Sequence, residues 1–160
     1  MIKTLCAAAM VALLFGPAAV AQDQSADNTA IVKEKVRADK KLLVAANMNL
    51  TEQEAAAFWP VYEAYQKDLT AMNGRITDAV KRYAEAFQQG SGTISDDLAK
   101  KLLDEALAIE ADEVDLRKSY VPKFSNVLPA GKVARYYQIE SKIRTAVKAD
   151  LASGIPLITQ

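Results

Sequence analysis

The stretch TEQEAAAFWPVYEAYQKDLTAMNGRITDAVKRYAEAF, residues 51–87, decides the fold. It opens with a capping box, in which the Thr51 hydroxyl accepts a hydrogen bond from the Glu54 amide and the Glu54 carboxylate accepts one from the Thr51 amide. Apolar side chains then recur at steps of three or four residues from Phe58 to Phe87. This spacing predicts one long helix whose apolar face stays buried for eight turns.

Two residues within this stretch test the continuity of the predicted helix. Pro60 lacks an amide hydrogen and crowds the preceding turn, so we expect a kink there. Gly74 costs about 1 kcal/mol relative to alanine in a helix, and Asn73-Gly74 is also a turn signal. Because the apolar spacing continues across Gly74 without a slip, we expect helix and no turn.

Two further helices are predicted downstream. The segment 88–92 is the strongest turn signal in the chain, and Ser95 is placed to cap the helix that follows it. Pro129 suits the first turn of a final helix, which Gly154 ends. The apolar residues expected on the inner faces of these two helices are Leu98, Leu102, Ala106, Ile109, Leu116, Tyr120, Phe124 and Val127 on the first, and Val133, Tyr136, Tyr137, Ile143, Val147 and Leu151 on the last.

These patterns together predict an all-α fold. A sparse apolar stripe that includes Val32, Val36 and Leu43 indicates a first helix over residues 29–46, and no segment alternates as a strand does. Two long helices joined by a short glycine-rich turn lie antiparallel, and shorter helices can cover their apolar faces. We therefore expect a long antiparallel helical hairpin with shorter flanking N- and C-terminal helices.

The N-terminal segment has the pattern of a secretory signal peptide. Residues 1–21 contain a basic head, an apolar centre and the small-residue motif Ala19-Val20-Ala21. The alternative, an uncleaved membrane anchor, is disfavoured because the apolar stretch is shorter than the ~20 residues of a spanning helix and Pro17 interrupts it. We expect an exported, periplasmic protein with a flexible leader over 22–28 and one helical domain over 29–160.

The composition excludes several classes of function. Histidine is absent and the single cysteine, Cys6, lies within the predicted signal peptide, so neither a soft-metal site, a disulfide nor a cysteine nucleophile is expected. Positive and negative side chains are balanced, which gives no general attraction to nucleic acid or to an anionic membrane. We predict a protein that is not an enzyme, without catalytic residues, metal or cofactor. An enzyme that works through carboxylates alone is a poorer alternative, because no acid, base and nucleophile can be assembled.

Two carboxylates, Glu113 and Glu140, lie on or beside the predicted apolar stripes. A buried carboxylate requires a basic partner or access to solvent. Arg135, Lys142 and Arg144 are candidate partners on the last helix, and we expect Glu140 to join a structural ion pair.

A basic segment precedes the long helices. Its bases are Lys33, Lys35, Arg37, Lys40 and Lys41. Such a run usually marks a solvated helix face, and the alternative is a docking surface for a partner.

The segment Leu50-Thr51-Glu52-Gln53-Glu54 resembles the Leu-Thr-x-x-Gln motif of the Spy/CpxP family of periplasmic proteins, with Glu54 where that family has glutamine. The resemblance implies a non-enzymatic helical hairpin, often a homodimer, that acts as an ATP-independent chaperone or as an envelope-stress accessory protein. It implies unfolded chains or a sensor protein as partners, which the basic segment would attract. The alternatives are a structural or adaptor protein without clients and a metal-responsive sensor, and the absence of histidine disfavours the sensor.

Overall fold

The computed structural model describes residues 38–159, and this part of the chain is all-α, as the sequence predicts. It contains four helices and no strand: α1 over 38–48, α2 over Glu52–Gln89, α3 over Asp96–Ser125 and α4 over Ala130–Gly154. None of these helices combines the length and the apolar character that a membrane crossing requires.

Helix α1 ends two residues later than the predicted boundary at residue 46, while its predicted start at residue 29 lies outside the described residues. The helix continues to Met48, and Asn49 then adopts a positive φ of 47°. Asparagine tolerates this left-handed conformation better than most residues do, which lets the chain leave the helix there.

The capping box at the start of α2 is confirmed. The Glu54 amide donates to Thr51 Oγ1 at 3.2 Å, and the Thr51 amide donates to Glu54 Oε2 at 2.8 Å. Helix α2 then continues without interruption through Pro60 and Gly74. Ser95 caps α3 as predicted, accepting from the Leu98 amide, although at 3.4 Å.

The prediction that one face of α2 is buried for eight turns is wrong. Full burial is confined to the first part of the helix, at Phe58, Tyr62, Tyr65 and Gln66, and the apolar side chains from Leu69 onwards are only partly buried. The reason is the position of the core, which lies where the first part of α2 meets residues of α1, α3 and α4. The buried core residues are Val44, Met48, Phe58, Tyr62, Tyr65, Tyr120, Phe124, Leu128, Val133 and Tyr136.

Helices α2 and α3 are joined by polar contacts along their length. The order of these contacts along α3 is the reverse of their order along α2. They are Asp68 with Tyr120, Arg75 with Asp112, and Arg82 with Glu105.

Helix α4 packs on the core through its first half only. Pro129 stands at the N-cap and not in the first turn, and its carbonyl accepts from the amides of Lys132 and Val133. The burial of the α4 side chains confirms the predicted inner face of this helix only in part. Val133 and Tyr136 are buried, whereas Val147 and Leu151 are exposed because they lie beyond the core.

The chain divides into two units, Met1–Leu42 and Leu43–Gln160. The core and all of the contacts described above belong to the second unit. The first unit contributes residues 38–42, the described beginning of α1.

Candidate partner-binding surface

The aromatic side chains at the core form one packed cluster. The rings of Phe124 and Tyr136 have centroids 4.7 Å apart, and Phe58 lies 5.3 Å from Tyr136 and 5.6 Å from Phe124. Aromatic pairs at such distances gain about 0.5–1.5 kcal/mol beyond the burial of their surface. Because all three side chains are fully buried, the cluster is a scaffold and offers no surface to a partner.

A polar group lies against this cluster. Gln66 Nε2 donates to Tyr136 Oη at 3.2 Å and reaches Glu140 Oε2 at 3.5 Å. Burial raises the pKa of the Tyr136 hydroxyl, and the charge of Glu140 raises it further, so this phenol stays protonated at neutral pH. Glu140 is buried, as its place on the stripe indicated. Gln66 is a partner that the sequence did not suggest, and the ion pair of Glu140 stays a prediction.

Glu113 is the second buried carboxylate, and two cations of α4 hold it. Arg144 Nη1 lies 3.1 Å from its Oε1, and Lys148 Nζ lies 3.0 Å from its Oε2. Burial acts to raise the pKa of Glu113, but the hydrogen bonds and charges of Lys148 and Arg144 outweigh it and leave the pKa lowered. Arg144 was among the candidate partners and Lys148 was not. Arg135, another candidate, donates instead to the carbonyl of Asn47.

This arrangement suits a structural ion pair better than acid–base chemistry. A general acid or base works best with a pKa near the working pH, whereas the pKa of Glu113 moves away from neutrality. Burial also raises the pKa of Tyr120 and of Tyr137 to about 12, which keeps both hydroxyls protonated. Over residues 38–159, no group of three acidic, histidine or cysteine side chains is arranged to hold a metal ion.

An exposed apolar stripe runs along α3. It consists of Leu103, Leu107, Val114 and Val121, whose exposed fractions lie between 37% and 59%. With 3.6 residues per turn, the four side chains fall within an arc of about 40°. The core residues Tyr120 and Phe124 lie about 100° and 60° from the nearer edge of this arc, so the stripe lies beside the face that packs on the core. We call these four residues the α3 outer stripe.

Basic and aromatic side chains border the C-terminal half of the α3 outer stripe. A shallow depression there is lined by Val114, Arg117, Lys118, Val121 and Tyr137. Tyr137 joins α4 to this edge, because its hydroxyl donates to the Arg117 carbonyl at 2.7 Å. The surface therefore offers apolar contact beside the cationic side chains of Arg117 and Lys118, of which Lys118 also contacts Asp115 at 3.4 Å.

The structure places the sequence-predicted site residues in different parts of the chain. Lys33, Lys35 and Arg37 lie outside the described residues, and Lys40 and Lys41 are partly buried positions of α1 in the first unit.

The motif residues lie together at the start of α2. Leu50 packs against the core, and Thr51 and Glu54 form the cap. The Lys132 ammonium contacts both the Glu54 carboxylate and the Asn49 carbonyl, at 3.1 Å for the latter. The motif thus has a structural role at this junction, tying α4 to the start of α2.

The α3 outer stripe was missed by the sequence analysis, although its signal is present. Leu107, Val114 and Val121 repeat at seven residues, and Leu103 precedes them by four. The predicted inner stripe of α3 does not include these four residues.

The comparisons with known proteins give no relative for this chain. No family model, no curated protein and no solved structure matches it.

Proposed function

We propose that this protein is a non-enzymatic binder of unfolded chains that acts without ATP in the periplasm, in the manner that its resemblance to the Spy/CpxP family suggests. The observation that supports the proposal is the α3 outer stripe, a row of apolar side chains that the described fold leaves exposed. Exposed apolar surface of this kind marks interaction sites more often than single scattered residues do.

The scaffold that we propose is an antiparallel hairpin of α2 and α3, with α4 packed at its open end. The reversed order of the contacts between α2 and α3 supports this arrangement, as does the short connection between Gln89 and Asp96. The aromatic cluster holds the helices at one end, so the stripe is presented on a supported helix. Such a stripe can bind without the cost of ordering itself first.

The proposed binding is weak at each position and adds up along the stripe. Full burial of a leucine or valine side chain contributes about 1.5–3 kcal/mol, and these side chains already lose part of their exposure in the free protein. The summed free energy of several such partial contacts is large enough to hold an extended apolar segment and small enough to let it dissociate. Arg117 beside the stripe, together with the basic segment of residues 33–41, would speed the encounter with acidic clients.

The test is suppression of aggregation without nucleotide. Leu103→Gln with Leu107→Gln removes apolar surface and keeps helix propensity nearly unchanged, since leucine and glutamine rank close together. Ala108→Gln is the matched control, because Ala108 is exposed on the same helix but lies outside the stripe. We expect the double variant to lose most of the suppression and the control to retain it. No suppression by the unchanged protein at several-fold excess would refute the proposal.

Export is a separate part of the proposal. It predicts a mature chain that begins at Gln22, which mass spectrometry of the periplasmic protein would detect. A full-length chain retained in the cytoplasm would contradict it.

A structural or adaptor protein without clients is the second candidate. The observation that favours it is the complete burial of the Phe58, Phe124 and Tyr136 rings, which are therefore closed to a ligand. A dye that fluoresces on exposed apolar surface separates the two functions. We expect dye binding that falls in the double variant, whereas an adaptor with a closed surface would bind little dye in any form.

A further inference from the structure

The turn between α2 and α3 carries a second surface, far along the chain from the core. Tyr83 and Phe87 stack near the end of α2, with ring centroids 5.7 Å apart and an angle of 30° between their planes. Gly92 follows in the turn, where it is buried and adopts a φ of +99°. These three residues form what we call the turn platform.

The C-terminal segment of the chain lies on the turn platform. After α4 ends at Gly154, the Tyr83 hydroxyl donates to the Pro156 carbonyl at 2.6 Å. Further on, Thr159 donates twice to the Gly92 carbonyl, through its amide at 3.0 Å and its hydroxyl at 2.8 Å. Hydrogen bonds therefore hold the segment near both of its ends. At Pro156 the segment supplies the carbonyl acceptor, and at Thr159 the platform supplies it through Gly92.

The absence of a side chain at Gly92 permits this close approach. A Cβ atom built there would lie 3.0 Å from Thr159 Oγ1 and 3.7 Å from the ζ carbon of Phe87. The positive φ and the proximity of Thr159 both favour glycine at this position.

The segment is docked by polar contacts more than by burial of its own apolar side chains. Leu157 is 89% exposed and Ile158 45% exposed, although both are strongly apolar. A single hydrogen bond of this kind changes a binding equilibrium by about two- to tenfold. The entropy of ordering the segment offsets part of the contribution of these three bonds, so the segment is docked but can be released.

We propose that the turn platform is a docking site for an extended peptide segment, and that residues 155–159 of this chain occupy it as a displaceable strap. Release of the strap frees the Tyr83 hydroxyl and the Gly92 carbonyl, and both are then open to a separate peptide of the same sequence. The inference does not depend on client binding by the α3 outer stripe.

The first test measures binding of the strap as a separate peptide. A fluorescent peptide of residues 153–160 is titrated by anisotropy into the protein shortened to end at Gly154 and into the intact protein. We expect saturable binding to the shortened protein and binding at least several-fold weaker to the intact one, whose site is occupied. Tyr83→Phe in the shortened protein weakens binding by about two- to tenfold, because it removes one hydrogen bond.

Peptide variants give the matched controls. A peptide with Leu157→Ser binds like the native peptide, since Leu157 is exposed. Thr159→Pro removes both the amide donor and the hydroxyl donor to the Gly92 carbonyl and weakens binding. Equal binding to the shortened and intact proteins, or no binding to either, would overturn the proposal.

A second measurement uses the intact protein and covers the case in which the shortened chain does not fold. Hydrogen exchange of the Thr159 amide reports strap docking directly. We expect Tyr83→Phe to accelerate this exchange several-fold without changing the fluorescence of Trp59, which packs against the core. Unchanged exchange at Thr159 would refute the strap, and a failed aggregation assay would leave this result unaffected.

Discussion

Replacing Glu113 with glutamine would remove the negative charge that Arg144 and Lys148 of α4 share. Glu113 is buried, and its two oxygens contact Arg144 at 3.1 Å and Lys148 at 3.0 Å. These contacts link α3 to the part of α4 beyond the aromatic cluster. Glu113→Gln keeps the size of the side chain and tests the charge alone.

The expected loss of stability follows from the burial of the three groups. Breaking a fully buried ion pair costs about 3–5 kcal/mol because the remaining charge is left unpaired. The side chains of Arg144 and Lys148 are 30% and 43% exposed, so water can hydrate them after the substitution. We therefore expect a reduced loss of about 1–3 kcal/mol in the free energy of unfolding.

The pH dependence of this loss is a second signature. The pKa of Glu113 is lowered from its usual value of 4.5 in the folded protein. The unfolded chain therefore binds the proton more tightly, and the stabilisation is complete above pH 4.5 and lost as the pH falls through the lower folded pKa. The difference between the unchanged protein and Glu113→Gln should be largest at pH 7 and should shrink on acidification.

Urea unfolding followed by far-UV circular dichroism at pH 7 and pH 3 measures both effects. Glu110→Gln is the matched control, because Glu110 contacts the same Lys148 at 3.6 Å but its side chain is 67% exposed. An exposed pair of this kind contributes about 0–1 kcal/mol. Equal destabilisation by the two substitutions, or a loss at Glu113 that is the same at both pH values, would show that the charge of Glu113 does not stabilise the fold.

Two further predictions concern the caps and the core. Thr51→Ala lowers the free energy of unfolding by about 1 kcal/mol. Ser95→Ala lowers it by less, because the hydrogen bond that Ser95 accepts is longer. Urea titrations that rank the two substitutions in the opposite order would contradict this prediction. Phe124→Ala costs about 3–5 kcal/mol, since it empties the centre of the aromatic cluster. Val121→Ala, on the exposed stripe of the same helix, serves as the control and should cost far less; similar losses would show that the core is misplaced.

The elements that the sequence predicts well depend on a few neighbouring residues. The capping box at Thr51 and Glu54 and the cap at Ser95 are local chemistry, and the structure contains both. The turn predicted over 88–92 is also local, and the structure has it at 90–92, because α2 continues to Gln89. The continuity of α2 across Gly74 could likewise be derived from the spacing of its apolar residues.

The depth of burial could not be derived in the same way. Periodicity shows which face of a helix is apolar, but burial requires another element to cover that face. The residues of α2 beyond Leu69 and those of α4 beyond Ile143 share the phase of the core, yet they extend past the place where the helices meet.

The candidate sites also depend on contacts between residues distant in sequence. The bonds of Thr159 and of Pro156 with the turn platform span 67 and 73 positions, and no local pattern indicates them. The α3 outer stripe is different, because its seven-residue repeat is visible in the sequence. Its meaning depends on exposure, which only the structure supplies.

Site-specific cross-linking tests the proposed function most directly. A photoreactive amino acid is placed at Leu107, on the α3 outer stripe, or at Ala108, exposed beside it. Each form is then illuminated with a chemically unfolded client protein. If clients bind the α3 outer stripe, we expect a client adduct from position 107 and little from position 108. Equal adducts from both positions, or suppression of aggregation with no adduct from position 107, would contradict it.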